Sequence, residues 1–156
     1  MASLLHDFLA PDSIAIIGAS ADPTKRGYKA MTGLLKGGYA GTIYPINPNA
    51  DKIMGIKAYG SVTALPAAAD MALICTPAHT VPFLLEQCGE IGIKGAIILA
   101  SGFGEVDETG AKLEQEVLRI AQQAGVRLVG PNTSGFFNLH KQVNLLALDN
   151  VQAGDI

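Results

Sequence analysis

The sequence predicts a single parallel α/β domain with helices on both faces of its sheet. Three observations carry this. Strand-like and helical patterns alternate along the chain through five strand-like runs. Those runs are continuously apolar rather than alternating, as strands covered on both faces must be. Each run also stops at small, polar or proline-bearing residues: Gly18-Ala19-Ser20, Asn47-Pro48, Thr76-Pro77-Ala78, Ser101-Gly102-Phe103 and Gly130-Pro131-Asn132. Right-handed crossovers between such strands give a Rossmann-like, doubly wound sheet, expected in the order 3-2-1-4-5. Ligands of these sheets bind beyond the carboxyl ends of the strands.

The elements follow in order. Residues 4–9 read as a short amphipathic helix that Pro11 ends. Residues 13–17 form the first strand, and residues 27–36 a helix stopped by Gly37-Gly38. Residues 41–47 are the second strand, closed by Pro48. Residues 53–61 form a polar turn region that suits a small ribbon. The third strand covers 70–75, and a helix over 80–91 ends at Gly92. The fourth strand covers 94–100. A long helix over 107–124 places Leu113, Val117, Leu118 and Ala121 at helical spacing before Gly125. The fifth strand is 126–129, and one more strand-like run lies at 142–146. The domain is expected to span 1–148, with 149–156 starting a linker to a further domain.

Composition narrows the function. Charged residues make up 16% and apolar residues 49%, which excludes a disordered chain. The formal net charge of −3 gives no global attraction for polyanions, and no basic stripe carries interleaved aromatics. Nucleic acid is therefore not an expected partner. The amino terminus lacks a basic signal-peptide region, and no apolar run approaches the ~18 residues of a membrane span. Cys75 and Cys88 fall in a strand and a helix pattern, as free thiols of a cytoplasmic protein do. No Cys-x-x-Cys or His-rich cluster suggests a metal.

The chemistry concentrates after the first strand. Gly18-Ala19-Ser20 is followed by a polar loop with Lys25 and Arg26, and a helix opens at Gly27-Tyr28. A strand, loop and helix of this kind put a phosphate on a helix N-terminus, with backbone N–H groups and cations around it. A dinucleotide is the first candidate ligand. Its Gly-x-Gly-x-x-Gly fingerprint is missing, because Ala19 and Ser20 follow Gly18 and the next glycine is Gly27. The ribose-gripping acid at the end of the second strand is missing too, since that position reads Asn47-Pro48-Asn49.

Five motifs occur in order: Ile-Ala-Ile-Ile-Gly18-Ala-Ser, Gly41-Thr-Ile-Tyr-Pro-Ile-Asn-Pro48, Leu73-Ile-Cys-Thr-Pro-Ala78, Ser101-Gly-Phe-Gly-Glu105 and Gly130-Pro-Asn-Thr-Ser-Gly135. Together they resemble the CoA-binding domain of the nucleoside-diphosphate-forming acyl-CoA synthetases. That family includes ADP-forming acetyl-CoA synthetase and, more distantly, the succinyl-CoA synthetase alpha subunit. The same module opens bacterial protein lysine acetyltransferases. The resemblance implies a site for coenzyme A or an acyl-CoA. Gly18, Ala19, Ser20 and the turn Lys25, Arg26, Gly27, Tyr28 would hold the nucleotide end. Asn47 and Pro48 would flank the adenosine, and Thr76, Pro77 and Ala78 would line the pantetheine path. Ser101, Gly102, Phe103 and Asn132 would meet the thiol end. Further synthetase domains of the same or a partner chain are the implied partners.

In that family a phosphohistidine does the catalysis from a later domain. None of His6, His79 and His140 has the glycine-flanked setting, so no catalytic residue is assigned here. Two alternatives stand beside this reading: a CoA-sensing domain of a protein lysine acetyltransferase, and an NAD-binding redox domain. Each motif also has a plainer explanation. Gly18 could end a strand, Lys25 and Arg26 could be solvated, and Thr76-Pro77 could break a strand. Glu105 and Glu108 read as first-turn helix carboxylates. Phe136-Phe137 suits a core, or a face that another domain covers.

Overall fold

A computed structural model describes residues 8–146. The expected helix over 4–9 lies mostly outside them; Phe8 and Leu9 are helical, and Phe8 is buried. The expected linker over 149–156 lies wholly outside them.

The isoleucine-rich run becomes β1 (Ser13–Ile17), followed by α1 (Arg26–Lys36) and β2 (Thr42–Ile46). The polar turn region does form a ribbon: β3 (Lys52–Ile53) pairs antiparallel with β4 (Ile56–Lys57). Next come β5 (Met71–Ile74), α2 (Val81–Ile91), β6 (Gly95–Ile98), α3 (Glu108–Ala124) and β7 (Arg127–Val129). The late apolar run supplies β9 (Val143–Asn144), which pairs with β8 (Phe137–Asn138). Gly92 and Gly125 cap α2 and α3 in the left-handed conformation, as their positions predicted.

The main sheet is parallel and five-stranded, in the order β2-β1-β5-β6-β7. The doubly wound architecture is as expected; the strand order is not. Counted as five strands the order is 2-1-3-4-5, which corrects 3-2-1-4-5. The reason lies in the connection from β2 to β5. It runs through a short 3-10 turn, Val62–Ala64, whose Val62 packs with Ala15, Leu85 and Val81 on the α2–α3 face. Helix α1 covers the opposite face, where Met31 and Leu34 meet Ile14, Ile16 and Leu73. A right-handed connection on the α2–α3 face must carry the chain past β1 to its far side. Helical and strand patterns alone do not reveal which face a helix-free connection crosses.

Edges are managed locally. Pro45 sits in β2, an edge strand, where a missing N–H is tolerated. The 58–60 segment lies along that edge: Tyr59 N–H donates to Pro45 O (2.9 Å) and Asn47 N–H to Tyr59 O (2.9 Å). At the other end of the strands the Asp70 carboxylate accepts from Asp12 N, Ser13 N and Ser13 Oγ, tying β5 to β1.

Candidate functional site

The topological switch point falls between β1 and β5. The chain leaves β1 toward α1 on one face and leaves β5 toward α2 on the other. Such a divergence opens a crevice at the carboxyl ends of the two strands. Gly18 stands on one side of it and Thr76 on the other.

The five predicted loops form one continuous rim. Asn47 Nδ2 donates to Ala19 O (2.8 Å), joining the loops after β2 and β1. Across the crevice, a Cβ placed on Gly18 would lie 2.8 Å from Thr76 Cγ2. One added to Gly102 would lie 3.5 Å from the Ala78 Cβ. Asn132 N–H donates to Ala100 O (2.9 Å). Motifs as far apart in sequence as Gly18 and Asn132 thus share one edge of the sheet.

Gly18 has φ +84, a conformation L side chains rarely adopt. Its carbonyl lies directly under Gly27, where a Cβ would collide with Gly18 O. Gly27 therefore allows α1 to start in contact with the end of β1. The N–H groups of Gly18 and Ala19 are not free for a ligand: both donate to Ile46 O, at 3.0 and 3.2 Å. These two amides tie the end of β1 to the end of β2. Ala19 is fully buried as well, so its part is to shape the turn.

The next residues fold onto themselves. Asp22 accepts from Thr24 N (2.9 Å) and Thr24 Oγ1 (2.8 Å), and Asp22 N donates to Ser20 Oγ (3.0 Å). The Thr24 amide above all, then its hydroxyl, hold the Asp22 carboxyl below its usual range. The first turn of α1 differs. Lys25 at its N-cap makes no side-chain cap bond, and no acid stands in the turn. Lys25 and Arg26 are exposed there, and Arg26 Nη1 donates to Leu99 O at 2.7 Å.

The loop after β6 has opposite character. Glu105 accepts from Gly102 N (2.6 Å) and Phe103 N (3.1 Å), and Glu114 accepts from Gly104 N (3.0 Å). Glu105 thus precedes α3 rather than belonging to its first turn, and the Gly102 amide leads in holding its carboxyl below the usual range. Asp107 caps α3 by accepting from Gly110 N at 2.8 Å. Phe103 is 0% exposed and packs among Val81, Leu85 and Val117. Its side chain is core. Ser101 is exposed and Gly102 half-buried.

The remaining predicted residues divide similarly. Asn47 spends both ends of its amide on the loops, donating to Ala19 O and accepting from Asn49 N (2.8 Å). Pro48 beside it is exposed. Thr76 Oγ1 lies 2.7 Å from Thr80 Oγ1, while Pro77 is exposed and Ala78 begins a 3-10 turn. Asn132 is exposed at φ +53, after a cis Gly130-Pro131 bond. Tyr28 is half-buried in the first turn of α1. Sequence reasoning missed Leu99 and the loop-holding role of Glu105; no spacing rule signals either. Phe136 packs partly against the α1-side core, while Phe137 is 46% exposed.

A doubly wound sheet with an uncapped, cation-bearing helix start at its switch point has the architecture of nucleotide-binding domains. The CoA binding domain family matches residues 12–138, and the chain belongs to it. It is 47% identical over 134 residues to an ADP-forming acetate–CoA ligase II of Archaeoglobus fulgidus, covering 86% of this chain and 20% of the relative. It is 39% identical over 153 residues to the alpha subunit of the ADP-forming acetate–CoA ligase II of Pyrococcus furiosus, covering 98% and 33%. Among solved structures it resembles the dinucleotide-forming acetyl-coenzyme A synthetase 1 of Ca. Korarchaeum cryptofilum, in complex with phosphate and ADP. There the TM-score is 0.87 at 39% identity, over 94% of this chain and 31% of that one. The chain therefore spans a third or less of the length of these relatives. No helix among the described residues is long and apolar enough to cross a membrane.

Proposed function

We propose that this chain is the coenzyme A-binding part of an ADP-forming acyl-CoA synthetase. The observation that carries the site is the first turn of α1: a helix start without cap or acid, bearing Lys25 and Arg26, beside the switch point. The diphosphate rests there, on N–H groups that the fold leaves without a side-chain cap. The adenosine lies toward Asn47 and Pro48. The pantetheine arm passes Thr76, Pro77 and Ala78 toward Ser101, Gly102 and Asn132. Lys25, Tyr28, Ser20 and Gly27 complete the turn that receives the phosphates.

The chemistry itself belongs to the rest of the parent. A carboxylic acid, acetate in the names of the relatives above, takes a phosphoryl group from ATP with release of ADP, and the thiol of coenzyme A then displaces phosphate from the acyl phosphate to form the thioester. This chain contributes binding and orientation of that thiol. Further synthetase domains, in the same or a partner chain, supply the remaining groups. A reducing cytoplasm suits its two free cysteines, one of them buried. The NAD reading fails on residue 47, an asparagine occupied with Ala19 and Asn49 where a ribose-binding acid would stand.

Calorimetry tests the reading. Coenzyme A and acetyl-CoA should bind the 156-residue chain, and NAD and NADP should not. Tighter binding of NAD than of coenzyme A at equal salt would overturn it.

A further inference from the structure

Building on the coenzyme A reading above, we propose that Arg26 holds the ligand's diphosphate over the switch point and does not serve the ribose 3′-phosphate. Arg26 opens α1, at the positive end of the helix dipole, directly after Lys25. A cation is unfavourable at that end, and no acid in the first turn offsets it. Among the described residues Arg26 has no carboxylate partner; the ion pair there is Lys141 with Asp12 (3.3 Å). Its charge remains uncompensated at the rim of a site for a polyanion.

The direction of the side chain makes the proposal specific. Arg26 Nη1 donates to Leu99 O at 2.7 Å, 73 positions away in sequence. Leu99 follows β6, which is separated from β1 by β5. The guanidinium therefore reaches from the start of α1 across the end of β5. The Cys75 thiol, just past β5, feels it: burial pushes the thiol up to about 12, and the Arg26 charge acts against that. The side chain is thus drawn away from β2, the side of Asn47 and the adenosine, and toward the pantetheine path.

A guanidinium has five N–H donors in a fixed plane. One is spent on Leu99 O, and four remain for phosphate oxygens. The carbonyl fixes the arginine before ligand arrives, so little side-chain freedom is lost on binding. A lysine could not hold a carbonyl and chelate a diphosphate in one plane.

The test compares coenzyme A with dephospho-coenzyme A, which lacks the 3′-phosphate, on the wild-type chain, Arg26→Ala and Arg26→Gln. The glutamine keeps a polar, hydrogen-bonding side chain, shorter than arginine, and drops the charge. Both variants should lose about 10-fold in affinity at low salt. The loss should be equal for the two ligands and shrink as salt rises. A loss seen with coenzyme A and absent with dephospho-coenzyme A would move Arg26 to the 3′-phosphate and overturn the proposal. Full affinity in Arg26→Gln would reduce the residue to a fold contact and overturn it as well. A wild-type chain that binds neither ligand would instead remove the coenzyme A reading itself.

Discussion

Replacing Gly18 by alanine tests the geometry of the crevice most directly. Two penalties follow from the structure. The backbone at φ +84 costs a residue with a Cβ roughly 1–2 kcal/mol. The new Cβ would also stand 2.8 Å from Thr76 Cγ2. Thr76 must then turn, breaking its 2.7 Å bond with Thr80 Oγ1, which is worth about 0.5–1.5 kcal/mol. The total is about 1.5–3.5 kcal/mol, less than the stability of a typical domain, so the variant folds. At roughly 2–4 °C per kcal/mol for a chain of this size, the melting temperature should fall by about 3–14 °C. Scanning calorimetry measures that fall. Thr76→Ser removes the offending methyl and keeps the hydroxyl. The Gly18→Ala/Thr76→Ser pair should therefore recover the second penalty and not the first. An unchanged melting temperature in Gly18→Ala would refute the left-handed turn. A double variant no more stable than the single one would refute the contact with Thr76.

Three further outcomes are expected. Gly27→Ala should lower the melting temperature, although alanine in a helix normally gains up to about 1 kcal/mol over glycine. The Cβ would meet Gly18 O, and its other near neighbours are also backbone atoms, at 2.8 and 2.9 Å, so a rise would refute the close start of α1. Asn47→Ala removes one bond between loops and one within its own loop and should cost about 1–3 kcal/mol by denaturant titration; no change would show that the loops hold without it. Glu105 contributes stability that is present above the ordinary glutamate value of 4.5 and is lost as pH falls through its lower folded value. The Gly102 and Phe103 amide resonances should accordingly titrate below 4.5, and titration at or above it would contradict the two bonds.

The sequence showed most of the architecture because the strands are buried on both faces. Ile14, Ile16, Leu73, Ile74 and Ile97 read as strands by composition alone, and Gly92 and Gly125 mark helix ends. Other features depended on tertiary contacts. Strand order turned on Val62, a residue in a connection with no helix of its own. Phe103 sits in a loop motif of Ser, Gly and Glu, which gives no sign of its burial; the side chain packs with Val81, Leu85 and Val117 from two helices. Asn47 lies at the predicted rim, yet its amide is used to tie loops rather than left for a ligand.

The absent dinucleotide fingerprint shows the same limit from the other side. In that motif one glycine makes the tight turn, another admits the phosphate, and a third lets helix and strand approach. Here Gly18 makes the turn and Gly27 provides the close approach, at a spacing no short pattern would join. The loop between them is long enough to fold on its own Asp22–Thr24 bonds and to bring two cations to the helix start. Elsewhere on the rim several donors are already occupied. Gly18 and Ala19 are bonded to Ile46, Gly102 and Phe103 to Glu105, and Gly104 to Glu114. Helix α3 carries its own cap in Asp107, while α1 carries none. An anion arriving at this end of the sheet thus finds several loops already tied by their own carbonyls and carboxylates, and two uncapped helix starts, α1 and α2, of which α1 also bears Lys25 and Arg26.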